Sequence, residues 1–218
     1  MWNLIYDKTG FPLVQLKNGP AFGVWPVTKI QFERFISETK GYGDKWYEDA
    51  CVSNPRVSYR NLDVNNYEGL FMSGIKPDDA LKYVDWLGKK KEYDIPTVEE
   101  WRTFYHSLNG SNIPADKEWQ HFSALLLQEK PQELIQIELT LTATIIANNI
   151  SAIYNDALKF TLMKDGFVEW VHYKREFVGL GAPRSEYYSN TFRSLNTMVE
   201  GIRLDSVPKF MAFRVIKR

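Results

Sequence analysis

Cys51 is the only thiol in the 218-residue chain. A nucleophilic cysteine needs a base or a positive field beside it to form the thiolate. Arg56 and Arg60 follow closely, but no histidine does, and Cys51 reads as a bystander. The three histidines, His106, His121 and His172, make neither His-x-x-x-His nor His-Glu-x-x-His on one helix face. With one cysteine, a Cys-x-x-Cys metal clamp cannot form. Each histidine therefore reads as a surface or capping residue. No Gly-x-Ser-x-Gly elbow and no Gly-x-x-x-x-Gly-Lys-Ser/Thr loop occurs. Gly179-Leu180-Gly181 is too short to cradle a nucleotide. Glu99-Glu100 fall in a helix's first turn, where the helix dipole explains them without catalysis. The residues thus point to no catalytic site, no metal and no cofactor.

The charge balance narrows the partners. Lys plus Arg and Asp plus Glu number 27 each, so the formal net charge is zero. A general nucleic-acid binder needs a basic footprint that this chain lacks. The run Lys89-Lys90-Lys91 follows a helix end, where cations are favourable. No apolar stretch has the length a membrane span needs. Residues 1–7 do not resemble a signal peptide. A reducing, cytoplasmic setting is expected, with no membrane association. Seven Trp, twelve Tyr and thirteen Phe can bury enough area to stabilise a fold rich in irregular chain. The length suits one α+β domain spanning residues 1–218.

The elements that must position any site follow from capping and periodicity. Thr28 and Gln31 make a capping box, with Val27 and Phe32 placed as a hydrophobic staple. Phe32, Phe35 and Ile36 give that helix one apolar face, and Gly41 and Gly43 end the segment. Residues 42–74 read as a long packed loop carrying Trp46, Tyr47, Tyr59, Tyr67 and Phe71. Pro77, Asp78 and Asp79 suit the start of a second helix, with Ala80, Tyr83, Val84 and Leu87 at helical spacing and Gly88 as its cap. Thr97 and Glu100 form another capping box, ahead of Trp101, Phe104 and Tyr105. Asp116 starts a helix bearing Trp119 and Phe122. Ile135, Ile137, Leu139 and Leu141 alternate with other residues and predict a strand. Phe160–Met163 and Phe167–Val171, joined through Asp165-Gly166, predict a β-hairpin. Residues 172–209 read as mostly turn-like, and Phe210–Ile216 as a closing strand.

Three of these segments together resemble the formylglycine-generating-enzyme, or sulfatase-modifying-factor, family. Val24-Trp25-Pro26-Val27-Thr28, running on to Phe32 and Phe35, is similar to the family's first helix. Asp79-Ala80, Tyr83, Trp86-Leu87-Gly88 and then Ile95-Pro96-Thr97-Val98-Glu99-Glu100-Trp101 are similar to its most specific motifs. Gly166-Phe167-Val168-Glu169-Trp170 and Ala212-Phe213-Arg214-Val215 are similar to its last two. The resemblance implies a C-type-lectin-like domain with little regular structure, in which Trp86, Trp101 and Trp170 are buried in one core.

The departures bear on function. Family oxidases carry a C-terminal cysteine pair that binds copper, and no cysteine follows Cys51 here. Val178–Ser185 stands where the family has an Arg-Gly-Gly-Ser-Trp segment. The asparagine of the Glu-Trp motif is missing, so no calcium site is carried over. Residues 109–163 read as a divergent insert. The expected function is a non-catalytic binding module that recognises a protein or other ligand through an irregular C-terminal surface. Within residues 186–196, Tyr187, Tyr188, Asn190, Arg193 and Asn196 are the candidate contacts, since Tyr, Ser and Asn suit adaptable recognition and Tyr and Arg suit hot spots. One alternative is an enzyme of different, non-copper chemistry using His172, Tyr173, Arg175 and Asp205. Another is a structural subunit whose Leu134–Ile146 stretch is an interface.

Overall fold

The computed structural model describes residues 2–17, 19–39, 67–112, 134–183 and 211–218. The helices begin where capping chemistry places them. Thr28, in an extended conformation, caps α1 (Lys29–Glu38). Its hydroxyl accepts from Gln31 N, and the Gln31 side chain accepts in return from Thr28 N. Phe32 and Phe35 face inward, the helix ends at Glu38 with Thr39 as its cap, and Gly41 and Gly43 lie outside the described residues. α2 (Pro77–Leu87) starts at its proline and buries Ala80, Tyr83, Val84 and Leu87. α3 (Val98–Leu108) repeats the capping box with Thr97 and Glu100 and buries Trp101, Phe104 and Leu108.

Gly88 ends α2, but not in the left-handed conformation a glycine cap usually adopts. Its φ is −154°, and a side chain there would come within 2.5 Å of the Tyr93 ring. Close packing requires this glycine.

A five-stranded antiparallel sheet runs in the order β1-β2-β3-β10-β4, built from Asn3–Tyr6, Pro12–Gln15, Ala21–Gly23, Ile216–Lys217 and Tyr93–Asp94. A three-stranded sheet runs β7-β6-β9, built from Glu176–Leu180, Val168–Tyr173 and Met211–Phe213. A short parallel pair joins β5 (Lys164–Gly166) to β8 (Ala182–Pro183). The closing segment serves both larger sheets: it breaks at Arg214-Val215, so β9 pairs with β6 and β10 inserts between β3 and β4. The single strand expected there is therefore two.

Two further expectations fail for identifiable reasons. Leu134–Ile153 is a helix, α4, and not a strand. The early alternation of Ile135, Ile137, Leu139 and Leu141 fits either structure over so short a window. Buried Leu139, Ala143, Ile146, Ala147 and Ile150 then follow helical spacing, with no Gly or Pro to end the run. Leu139, Ala143 and Ile146 are thus core, whatever else the helix meets. The hairpin is also displaced. Phe160 ends the short helix α5 (Ala157–Phe160), capped by Asp156, and Leu162 takes φ 60° in the turn that follows. β6 pairs instead with β7, inside the stretch read as turn-like, from Glu169↔Leu180 to Tyr173↔Glu176. Its turn is Lys174-Arg175, with Lys174 at φ 56°, a conformation the sequence does not advertise.

The three-stranded sheet lies between two apolar clusters. Along β6, Val171 belongs to the first, while Val168 and Trp170 belong to the second, as strand alternation requires. Val178 and Leu180 of β7 and Ala212 of β9 join Val171. The first cluster adds Phe22 stacked on Phe104 at 4.4 Å, together with Trp101 and the inner face of α4. The second stacks Phe32 on Tyr83 at 5.6 Å and packs Phe213 edge-on against both. Trp101 and Trp170 are buried, but in different clusters. Trp86 is only half-buried, against the rim of the second. It sits on the flank of the α2 stripe, where Lys8 Nζ lies 3.5 Å above its ring and Glu38 Oε2 accepts from its indole at 3.1 Å.

Candidate functional site

The motif residues converge, but inside the protein. On β6, Glu169 shares the parity of Val171 and turns toward the first cluster. There its Oε2 accepts from Trp101 Nε1 at 2.9 Å. Arg214, in the break between β9 and β10, grips both oxygens of Glu169: Nε to Oε2 at 3.0 Å and NH2 to Oε1 at 2.6 Å. The rest of the guanidinium donates to carbonyls of three other positions, Gly23 at 2.8 Å, Val24 at 2.6 Å and Thr161 at 2.7 Å. Both side chains of the pair have no exposure. A buried charge is tolerated only when paired and hydrogen-bonded, and here every named donor finds an oxygen. No substrate can reach this carboxylate, so the arrangement joins strands and performs no surface chemistry. The sequence holds a signal for it. Glu169 and Arg214 are single opposite charges, each between buried apolar neighbours: Val168 and Trp170, Phe213 and Val215.

The same strands hold the ends of residues 184–210. Pro183 pairs with Gly166, and Met211 pairs with Val168. These anchors are two residues apart on one chain segment. Gly181 makes the close approach to that segment possible: its φ is +156°, and a side chain there would meet Phe167 O at 2.5 Å. Close packing thus accounts for both glycines of Gly179-Leu180-Gly181, since a side chain at Gly179 would meet Val168 Cγ1 at 2.7 Å. On the other side, Gly74 N donates to Met211 O at 2.8 Å and Val27 N to Phe213 O at 3.0 Å. The candidate contacts Tyr187, Tyr188, Asn190, Arg193 and Asn196 lie outside the described residues, as do Cys51, His121, Trp46 and Tyr47.

A polar group marks the surface beside β6. His172 Nε2 lies 3.3 Å from Asp94 Oδ1, and its ring packs on Phe177 at 4.3 Å. Arg218 bridges Asp94 at 3.3 Å and Glu100 at 2.5 Å. Burial would raise the Asp94 carboxyl. The hydrogen bonds from His172 and Ile95 N, with the charges of His172 and Arg218, outweigh it and hold the carboxyl below its usual range. The balance at Glu100 is the same, with Arg218 and Thr97 supplying the donors. His172 thus has an orienting carboxylate. Tyr173 points to the opposite face of β6, Arg175 stands exposed in the hairpin turn, and Asp205 lies outside the described residues. His106 is exposed in the last turn of α3. Among the described residues, no three His, Cys, Asp or Glu side chains are grouped to hold a metal ion. No described helix is long and apolar enough to cross a membrane.

Residues 14–120 match the family model of the sulfatase-modifying factor enzyme 1-like domain. That span takes in α1, α2 and α3 with both capping boxes and Trp101. No curated protein and no solved structure matches the chain.

Proposed function

Because residues 14–120 belong to the sulfatase-modifying factor enzyme 1-like family, we propose that the whole chain is one C-type-lectin-like domain that works by binding, with a protein partner met in a reducing, cytoplasmic setting. The observation that carries this reading is the paired anchoring of residues 184–210, Pro183 on Gly166 and Met211 on Val168. A segment held at both ends by a sheet loses less freedom on binding than a free one, which favours recognition. Its sequence offers Tyr187, Tyr188, Asn190, Arg193 and Asn196, types that combine contact area with directed hydrogen bonds. Oxidase chemistry of the family's kind is disfavoured, because no cysteine stands between Trp170 and Arg214.

The test is a triple change of Tyr187, Tyr188 and Arg193 to Ala. Each hot-spot side chain typically contributes about 2 kcal/mol or more, so partner capture should be lost. The melting temperature should stay near that of the wild type. A variant that stays folded and still captures the partner defeats this assignment, and one that unfolds shows these residues to be core.

A further inference from the structure

Asp7 stands in the turn between β1 and β2, with its side chain enclosed. Its two oxygens are treated unequally. Oδ1 accepts from Thr9 N at 2.7 Å, Thr9 Oγ1 at 2.5 Å and Phe11 N at 3.2 Å. Among the described residues, Oδ2 meets only Gln31 Nε2, at 3.4 Å. The same Nε2 donates to Thr9 Oγ1 at 2.9 Å. At its other end, Gln31 Oε1 accepts from Thr28 N and Thr28 Oγ1, each at 3.0 Å. One amide therefore ties the β1–β2 turn to the cap of α1.

Other charged and titratable groups face Asp7 from each neighbouring element: Lys8 from its own turn, Arg34 from α1, Tyr83 from α2 and Tyr93 from β4. The Tyr83 hydroxyl is buried and has no hydrogen-bond partner among the described residues. Burial pushes the Asp7 carboxyl up to about 6, against the opposing pull of Thr9, Phe11 N and Arg34.

We propose that the Asp7–Gln31 contact is a proton-operated joint between the β1–β2 turn and the cap of α1. In mild acid a solvent proton adds to Oδ2, because Oδ1 is already saturated by three donors. Gln31 Nε2 is itself a donor, so when Oδ2 becomes a hydroxyl it loses its Asp7 acceptor and keeps only Thr9 Oγ1. The amide cannot turn its oxygen to Asp7 without withdrawing it from Thr28 N. That would leave a buried N-cap donor unpaired, which costs more than losing one long contact. The contact therefore opens and the capping box stays. The opened joint adjoins the sheet, since Val27, the residue before the cap, donates to Phe213 O of β9.

The test is a pH titration of the labelled wild-type protein by nuclear magnetic resonance, following the Asp7 carboxyl carbon and the Gln31 side-chain amide. The two signals should move together with one midpoint above about 5, well clear of the ordinary aspartate range. In Asp7→Asn, which keeps the Oδ1 acceptor, the Gln31 amide should stay still over the same range. An Asp7 midpoint in the ordinary range, or a Gln31 amide that ignores the Asp7 titration, overturns the proposal. The wild-type titration decides alone if the variant does not fold.

Discussion

Glu169 and Arg214, forty-five residues apart in the chain, form a two-point ion pair with neither side chain exposed. The pair, with the Trp101 indole, ties α3, β6 and the closing segment to the chain at Gly23, Val24 and Thr161. Removing one partner would leave an uncompensated charge in the interior. Arg214→Ala or Glu169→Ala should therefore cost about 3–5 kcal/mol, read from urea unfolding. Replacing both with apolar residues of similar volume should cost less than the worse single change. A double variant less stable than either single variant would show that the pair is not the source of the loss.

The half-buried position of Trp86 separates it from the other motif tryptophans. Trp101→Ala removes a core side chain and a donor to Glu169, and should cost about 3–5 kcal/mol. Trp86→Ala should cost less, because its ring lies at a rim under Lys8 and Glu38. Thermal unfolding of the two variants side by side checks the order. Equal losses would place Trp86 in the core after all.

Local chemistry written in the sequence was legible, and long-range pairing was not. Thr28 with Gln31 and Thr97 with Glu100 start helices by contacts three residues apart, so their spacing is sufficient. Leu134–Ile153 could not be settled from its first turns, because Ile135, Ile137, Leu139 and Leu141 satisfy a two-residue period while the burial further on follows 3.6. The β6–β7 hairpin carries no turn signal in the sequence, because Lys174 takes a left-handed conformation without the Gly or Asn that usually marks it. Trp101, Glu169 and Arg214 were each visible in motifs, but their convergence depends on topology. The candidate contacts from Tyr187 to Asn196 rest on residue types alone, although Gly166, Gly181 and Met211 give their segment its anchors.

Gly181 tests those anchors. A methyl group there meets the Phe167 carbonyl at 2.5 Å, on a backbone with φ +156°. Gly181→Ala should destabilise by more than about 1 kcal/mol, the loss expected where alanine cannot adopt the native conformation. Partner capture should fall with it, since β8 would shift relative to β5. Denaturant midpoints and capture measured on one preparation check both effects. An unchanged midpoint would mean the β5–β8 approach is not tight.

Asp7 gives the stability profile an unusual component. Its carboxyl is raised by burial from 3.8 to about 6, so the folded state holds the proton more tightly than the unfolded chain. Between about pH 4 and 6 unfolding then releases a proton, and this group's contribution falls as pH rises. Glu38, Asp94 and Glu100 are shifted the other way and lose stability in acid, so the wild-type curve alone mixes both signs. The difference from Asp7→Asn isolates Asp7. Relative to the wild type, the variant should gain on the order of 3 kcal/mol from pH 4 to pH 7, two pKa units' worth. Urea unfolding at each pH measures it, and a flat difference would place the Asp7 carboxyl near its ordinary range.

Copper-dependent oxidation of a substrate cysteine needs two thiolates at one centre, and this chain carries one cysteine. No thiol lies between the Glu169-Trp170 strand and Arg214, the interval where the family's pair is expected. The purified protein, supplied with copper and oxygen, should leave a cysteine-containing sulfatase-type peptide unchanged. Mass spectrometry would reveal aldehyde formation if it does not. Two thiols at one centre would need the Cys51 side chains of two copies of the chain, and Cys51→Ser excludes that route. Turnover by the wild type that survives in Cys51→Ser would require oxidation without a protein thiol. Turnover lost in Cys51→Ser would make Cys51 a metal ligand shared between copies. Either result would replace the binding role with an enzymatic one, whereas an unmodified peptide in both leaves the segment between Pro183 and Met211 as the place to seek function.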